Sequence, residues 1–382
     1  MKKVYFDNAA TTPLAPEVFD AMLPFMREHF GNPSAIHGYG RKTRAAIEQA
    51  RRTVAAQLNC APGEIIFTSG GTEADNMVLN GVVRDLGVKH IVTSPIEHHA
   101  VELTAEQLGK SGVKIHWLRL EADGKPDMAH LEELLKATKG EGVLVSFMHA
   151  NNEIGTRIDL HAVGGLCRTY GALFHSDTVQ TMGHYRFDLA NTPVDYITCA
   201  AHKFHGPKGV GFLYMRNGAN IKAAIVGGSQ ERNMRAGTEN IYGIVGLAKA
   251  LELATEDVEG HQRHVQALKD LMKKRLQEEI PGVGFNGDSS ADSLYTVLSV
   301  CFPEDGKSEM LIYNLDIEGI ACSGGSACSS GSNKGSHVLG ALYPERPGGN
   351  IRFSFSRYST KEEVEHVVGV LKRIFEPSLV KA

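Results

Sequence analysis

A lysine at the end of a buried strand is costly unless it is paired or used. Lys203 stands in such a place: "YITCAAHKFHGPKG" reads as a strand followed by a sharp Gly-Pro-Lys-Gly turn. Upstream, "FTSGGTEADN" reads as a strand, a tight glycine pair and a helix start. Gly71, Thr72 and the first helical N–H groups can hold a phosphate at the positive end of that helix, although an ordinary capped turn reads the same way. "ALFHSD" ends on Asp177, a carboxylate at the carboxyl end of a strand, with Gln180 three residues on; a helix N-cap is the plainer use of that aspartate. A phosphate cradle, a carboxylate for a ring nitrogen and an imine-forming lysine are together what pyridoxal phosphate requires. The three occur in chain order, and the set is far more specific than its parts.

Two further stretches carry polar residues beside strands. "IEHHAV" puts His98 and His99 at a helix start. Adjacent helical residues point about 100° apart, so the pair does not converge on a metal. A ring covering a flat cofactor suits one of them better. "MHANNEIG" places Asn151 and Asn152 directly after a strand, where a turn is the simple alternative.

The elements needed to position these groups are visible as alternation. Strand-like runs at "EIIFTSG", "HIVTS", "VKIHWL", "GVLVSFMH", "ALFHSD", "YITCAA" and "VGFLYM" are spaced by helical segments, among them 128–137 and 160–170. In 41–58, Ile47, Ala50, Val54 and Leu58 fall on one helical face. Such alternation predicts an α/β domain with a mainly parallel sheet, whose ligands bind at the carboxyl ends of the strands. After a long helical stretch at roughly 240–279 come "YTVLSVCF", a helix near 306–315, "NIRFSFS" and a last helix at 360–375. These predict a smaller α+β domain joined by the extreme N-terminus. The division is placed at 15–255 for the large domain, and 1–14 with 256–382 for the small one. "CSGGSACSSGSNKGS" at 322–336 is rich in Gly and Ser and reads as a mobile loop, with an unexpected thiol, Cys328, in its middle.

Bulk properties exclude several classes. The chain has 382 residues, 42% hydrophobic and 22% charged, with a net charge of −4. It can bury a core, and it lacks the basic stripe of a nucleic-acid binder. No apolar run is long enough to span a bilayer, and the start lacks the apolar stretch of a signal peptide. Six cysteines without CxxC spacing fit free thiols in a reducing cytoplasm, with neither a disulfide scaffold nor a zinc site.

The motifs taken together resemble the cysteine desulfurases of the NifS/IscS type, in the class V aminotransferase superfamily. The likeness runs over nearly the whole chain, through "YFDNAATTP", "FGNPSAIHGYG", "FTSGGTEADN", "EHHAV", "MHANNEIG", "HSDTVQ", "AAHKFHGPKG", "QERNMRAGTEN", "SGGSACSSGS" and "IRFSFSR". The resemblance implies an aspartate aminotransferase-like fold type I, with pyridoxal 5'-phosphate as cofactor, and assigns roles. Lys203 carries the imine and His98 stacks on the ring. Asp177 pairs with the ring nitrogen, Gln180 meets the phenolic oxygen, and Asn152 contacts cofactor or substrate. Gly71, Thr72 and His202 surround the phosphate, which Thr238 reaches from the second subunit of a homodimer. Arg352 binds the carboxylate of L-cysteine, and Cys328 is the nucleophile that takes the sulfur. Five or six residues on each side of Cys328, at ~3.3 Å each, let the thiol swing by on the order of 10–20 Å. It can thus collect sulfur inside and deliver it to an acceptor protein, such as an iron–sulfur scaffold.

Three departures from the family pattern stand out. Ala200 occupies the place of the usual serine three residues before the lysine, removing one phosphate hydrogen bond. Cys322 lies six residues before Cys328, where a non-thiol is expected, and is a possible second acceptor. The chain stops soon after its last helix, which leaves the acceptor open. A selenocysteine lyase or another class V enzyme would keep Lys203 and Asp177 without needing Cys328, and a sulfur-relay protein could keep the fold without turnover.

Overall fold

Residues 2–219, 221–304, 310–324, 335–345 and 349–376 are described in the computed structural model. Strand β1 (Val4–Tyr5) precedes seven strands that form one sheet: β2 (Ile65–Thr68), β3 (His90–Thr93), β4 (Lys114–Trp117), β5 (Val143–Ser146), β6 (Leu173–Asp177), β7 (Tyr196–Ala200) and β8 (Gly211–Met215). Their order is β2-β8-β7-β6-β5-β3-β4, and β8 alone runs against its neighbours. Six strands therefore end on one edge. The sequence placed six of these strands within a residue or two and ran β5 three residues past its end. Their buried runs, such as Val143–Ser146, are the signature of a sheet covered on both faces.

Helices do the covering. Ile47, Val54 and Leu58 of the helix Gly38–Gln57 and its C-cap are sealed into one core, with Phe67, Phe174 and Phe212. On the opposite face, Ala74, Met77, Val78 and Val82 of Gly71–Leu86 pack with Ile66, Leu144 and Leu213. Local chemistry sets the helix ends: Asp159 caps Leu160–Tyr170 by accepting from the His161 and Ala162 N–H groups, and Gly171 ends it with a left-handed φ of 72°.

The long helical stretch is two helices, Ile241–Glu256 and Val258–Glu279. They break at Asp257, whose side chain caps the second by accepting from the Gly260 N–H. Beyond it, β9 (Gly284–Phe285), β10 (Val297–Cys301) and β12 (Asn350–Ser354) form an antiparallel sheet in the order β12-β10-β9. Strand β11 (Ile320–Ala321) pairs in parallel with β1. A separate core joins Val4 and Phe6 to Leu298, Phe353, Val367 and Leu371. The extreme N-terminus is thus built into the second core. Among the described residues no helix is long and apolar enough to cross a membrane.

Candidate active site

The sheet edge where six strands end opens into a cavity of about 260 Å³. Of the residues singled out in the sequence, Gly71, Thr72, His98, Asn152, Asp177, Gln180, His202, Lys203 and Arg352 all line it. Chain order scatters them from position 71 to position 352, and the sheet topology brings them together. Thr238 does not line this cavity; it is exposed and lines another, of about 170 Å³. Cys328 lies outside the described residues. A larger cavity, of about 660 Å³, holds none of these residues, and its buried His149 is already bonded to the Thr181 hydroxyl.

Gly71 opens the helix Gly71–Leu86, so unpaired N–H groups face the cavity at the positive end of the helix dipole. A side chain there is excluded on steric grounds: a Cβ on Gly71 would come within 2.7 Å of Val179 Cγ2. Asp177, the last residue of β6, is buried, and its Oδ1 accepts from the Val179 N–H at 2.9 Å. Burial pushes its carboxyl up to about 6, with Asp75 adding to the rise and His98 opposing it. A buried carboxylate facing a cavity favours a ligand that carries a protonated nitrogen.

Lys203 sits in the single turn Ala201–Lys203 that follows β7, and its Nζ donates to the carbonyls of Ala9 and Ala10 at 2.7 and 2.8 Å. His98 caps the helix His99–Lys110, with Nδ1 accepting from the Ala100 N–H at 3.1 Å. Burial lowers its pKa, so the ring is held neutral at pH 7 with its proton on Nε2. His202 is likewise neutral, brought down to about 4 by burial, and its Nδ1 lies 3.1 Å from the Thr11 hydroxyl. Gln180 donates from Nε2 to the Ala9 carbonyl at 3.0 Å. Arg352 is buried and held by the Asn152 carbonyl and Asp7 Oδ1, each at 2.9 Å. Its Nε is buried with no hydrogen-bond partner among the described residues. The two asparagines separate: Asn152 lines the cavity, whereas Asn151 shapes a turn by accepting from the Glu153 and Ile154 N–H groups.

Several contributors were missed from sequence. Ala9 and Ala10 form a wall and hold both Lys203 and Gln180, through backbone carbonyls that carry no side-chain signal. Asp75 looks like a first-turn surface acid but is buried beside the cavity, raised to about 7 by burial, 3.4 Å from His175 Nε2. Glu97, next to His98, is also buried and raised by burial to about 8. His99 turns away from His98, toward Glu102 at 2.8 Å and His337, whose ring lies 4.4 Å away. The donor atoms of these three lie within 4.8 Å of one another, a grouping that the adjacent-histidine argument did not foresee. His337 Nε2 is already engaged by the Glu97 carbonyl at 2.9 Å. Cys322 packs against the second core, where burial pushes its thiol up to about 12. It stays protonated near neutral pH and is poorly suited to attack.

The fold is that of the class-V aminotransferases. Residues 4–367 match that family, and the chain belongs to it. Its relatives narrow the class. The cysteine desulfurase IscS of Dictyoglomus turgidum is 44% identical over 379 residues, covering 98% of this chain and 95% of the relative. Among solved structures, a NifS-like protein superposes with a TM-score of 0.90 at 37% identity, covering 98% of this chain and 99% of its own. A structure of SspA in complex with cysteine gives a TM-score of 0.81 at 31% identity, over 94% and 100% of the two chains.

Proposed function

We infer that the protein is a pyridoxal-phosphate-dependent cysteine desulfurase, which converts L-cysteine to L-alanine and passes the sulfur to its own Cys328. The observation that carries this reading is the convergence of Lys203, Asp177, the Gly71 helix start and Arg352 on one cavity. The donor set fits the cofactor. Lys203 is the amine for its aldehyde, and Asp177 is the buried carboxylate for its ring nitrogen. The neutral His98 covers the ring, and Gly71, Thr72 and His202 surround its phosphate. When bound, pyridoxal phosphate supplies an electron sink for the charge left as a proton leaves an amino acid Cα.

The chain's own residues do the rest. Arg352 orients the substrate carboxylate through a guanidinium already fixed by Asp7 and Asn152. Lys203, once released from the Ala9 and Ala10 carbonyls, moves the Cα proton. Asp177 keeps the ring nitrogen protonated, and pairing with that cation offsets the cost of its burial. The Cys328 thiolate attacks the substrate sulfur; the C–S bond breaks, the carbon takes a proton, and a persulfide remains on the enzyme.

A homodimer is part of the proposal. Phe19, Met26, Phe30, Ile36, Tyr39, Val226 and Tyr242 are exposed, with Ile36 at 92%. They lie on the packed helices 16–27, 38–57 and 241–256 and on the segments beside them. Such a patch suits a second copy of this chain. In that dimer Thr238 serves the other subunit's phosphate. The two separate cores support the division into 15–255, and 1–14 with 256–382. The sulfur acceptor is a partner protein such as an iron–sulfur scaffold, and free thiols suit a cytoplasmic setting.

The test is direct. The purified enzyme, given L-cysteine and a reductant, should release alanine and sulfide in equal amounts. Cys328→Ser should abolish sulfide release and leave cysteine binding visible in the cofactor spectrum. Sulfide release that survives Cys328→Ser would favour a lyase that needs no enzyme thiol.

A further inference from the structure

Three consecutive residues without the freedom of glycine take left-handed backbone angles: Glu231, Arg232 and Asn233, with φ of 43°, 55° and 66°. Such angles are disfavoured for residues that carry a Cβ, least so for asparagine, so the surroundings must hold the turn in place. The clamp is visible. Glu231 is buried and forms a two-pronged pair with Arg51, at 2.7 and 2.8 Å. Its Oε2 also accepts from the Phe67 N–H at 2.9 Å, and Arg51 donates to the Ile65 carbonyl at 2.8 Å. Arg232 donates to the same carbonyl at 2.7 Å.

The far end of the segment is held from the same helix face. Arg44 and Arg51 stand two turns apart on Gly38–Gln57, with Glu48 between them contacting both. Arg44 Nη1 lies 3.5 Å from Oε1 of Glu239, a buried carboxylate with no hydrogen-bond partner among the described residues. Between the two anchors, Arg235 pairs with Glu73 at 2.9 Å, in the first turn of the helix that starts at Gly71. Only the tip, Gly237 and Thr238, is exposed beyond Arg235.

We propose that Arg51 and Glu231 are positioning residues: they hold a strained left-handed turn so that Thr238 is presented, at fixed height, to the phosphate site of a second copy of the chain. The inference rests on the dimer reading above. It explains why a carboxylate and a guanidinium are buried together beside β2, where they do not line the active cavity, and why strain is kept at three adjacent positions.

The test measures cofactor release from the holoenzyme dimer, by dialysis and fluorescence, well below the unfolding temperature. Thr238→Val should speed release by about tenfold, the loss of one hydrogen bond to a charged group. Arg51→Lys, which keeps the charge but not the fork, should speed it by a similar factor with the dimer intact in sedimentation. The double variant should release no faster than either single one, because both act through the same contact. Asn233→Gly, which removes the Cβ from a left-handed position, should recover part of the loss in the Arg51→Lys background. Should Arg51→Lys fail to fold, Asn233→Val at its exposed site perturbs the turn alone and should also speed release. Normal release from Arg51→Lys or Asn233→Val, with fast release from Thr238→Val, overturns the proposal and leaves the dimer reading standing. Independent, multiplied effects overturn it as well. Normal release from Thr238→Val overturns the reading on which it rests.

Discussion

The two walls of the active cavity are made differently. One wall is the carboxyl edge of the large sheet, where Asp177, Ala200, Lys203 and the Gly71 helix start come from neighbouring strands and the turns that follow them. Asp177 and Ala200 are buried there, and burial moves the Asp177 carboxyl up to about 6 and the His202 ring down to about 4. The opposite wall comes from Ala9, Ala10 and Arg352, backed by Asp7; these belong to the N-terminal stretch and β12. It offers backbone carbonyls and one guanidinium fixed by an acid. The difference separates tasks. On the proposed reading, the sheet wall fixes the cofactor and the second wall receives and releases what is exchanged at each turnover.

Lys203→Ala removes the reactive member of the sheet wall. Turnover should vanish, and borohydride should no longer fix the cofactor to the protein. Peptide mapping of reduced wild-type enzyme that put the label on Lys208 would break the assignment.

Arg352→Gln strikes the second wall. On the proposed reading it removes a charge-assisted contact to the substrate carboxylate, so kcat/KM for L-cysteine should fall by about tenfold to a hundredfold. Cofactor retention should barely move. Equal losses in both quantities would show that the walls do not divide the work.

Asp177→Asn sharpens the contrast through pH. In the cofactor-free protein Asp177 is raised to about 6, Asp75 to about 7 and Glu97 to about 8, chiefly by burial. The folded state therefore keeps these protons longer than the unfolded chain does. Their stabilising contribution is whole below about pH 4, near the unfolded carboxyl pKa, and is lost as pH rises through the raised values. These carboxyls thus pull the melting temperature of the cofactor-free protein down between about pH 4 and 8. Histidines such as His149, His175 and His202, whose pKa values burial lowers, pull the opposite way, so the difference between wild type and variant is what isolates Asp177. Replacing the carboxyl by an amide removes the earliest part of that fall, so the variant should melt a few degrees higher at pH 7 and match wild type at the acid end. Parallel curves would mean that Asp177 is ionised without penalty.

The smallest effect is expected from Ala200→Ser. Ala200 lines the cavity, and its Cβ would stand 4.0 Å from a Cβ on Gly71, so a hydroxyl there is beside the helix start proposed to hold the phosphate. Thr198, on the same face of β7, is fully buried and does not line the cavity. The serine should slow cofactor loss by under about a hundredfold, with turnover per bound cofactor unchanged. Equal retention would mean that another group already fills the position.

These contrasts also mark what was legible in the sequence. Lys203, Asp177 and Gly71 could be read because each sits where a strand pattern gives way to a turn, and the carboxyl edge of a parallel sheet is a place that topology fixes in advance. Arg352 came only through resemblance; nothing local in "NIRFSFS" says that β12 reaches across to the sheet. Ala9 and Ala10 were beyond reading, since they act through carbonyls. Asp75 and Glu97 look like surface acids because burial is a property of packing and not of residue type. The break at Asp257 was lost in a continuous helical pattern, although an aspartate followed by Glu259 in the first turn is a signal of a helix start.

The lone reversed strand bears on how the site comes into being. Strands β7 and β8 face each other as an antiparallel pair closed by the short segment 201–210, with the Ala201 N–H bonded to the Val210 carbonyl. Parallel neighbours such as β6 and β5 meet only after a whole helix has been laid between them. Closing a short loop costs less chain entropy and happens sooner than bringing distant strands together. The lysine turn is therefore expected to be shaped among the earliest parts of the sheet, before the walls that give it a partner. Gly211 guards that sequence of events: a Cβ there would overlap the Cys199 carbonyl oxygen and stand 2.9 Å from Gly70 Cα, jamming the hairpin against the incoming helix start at Gly71.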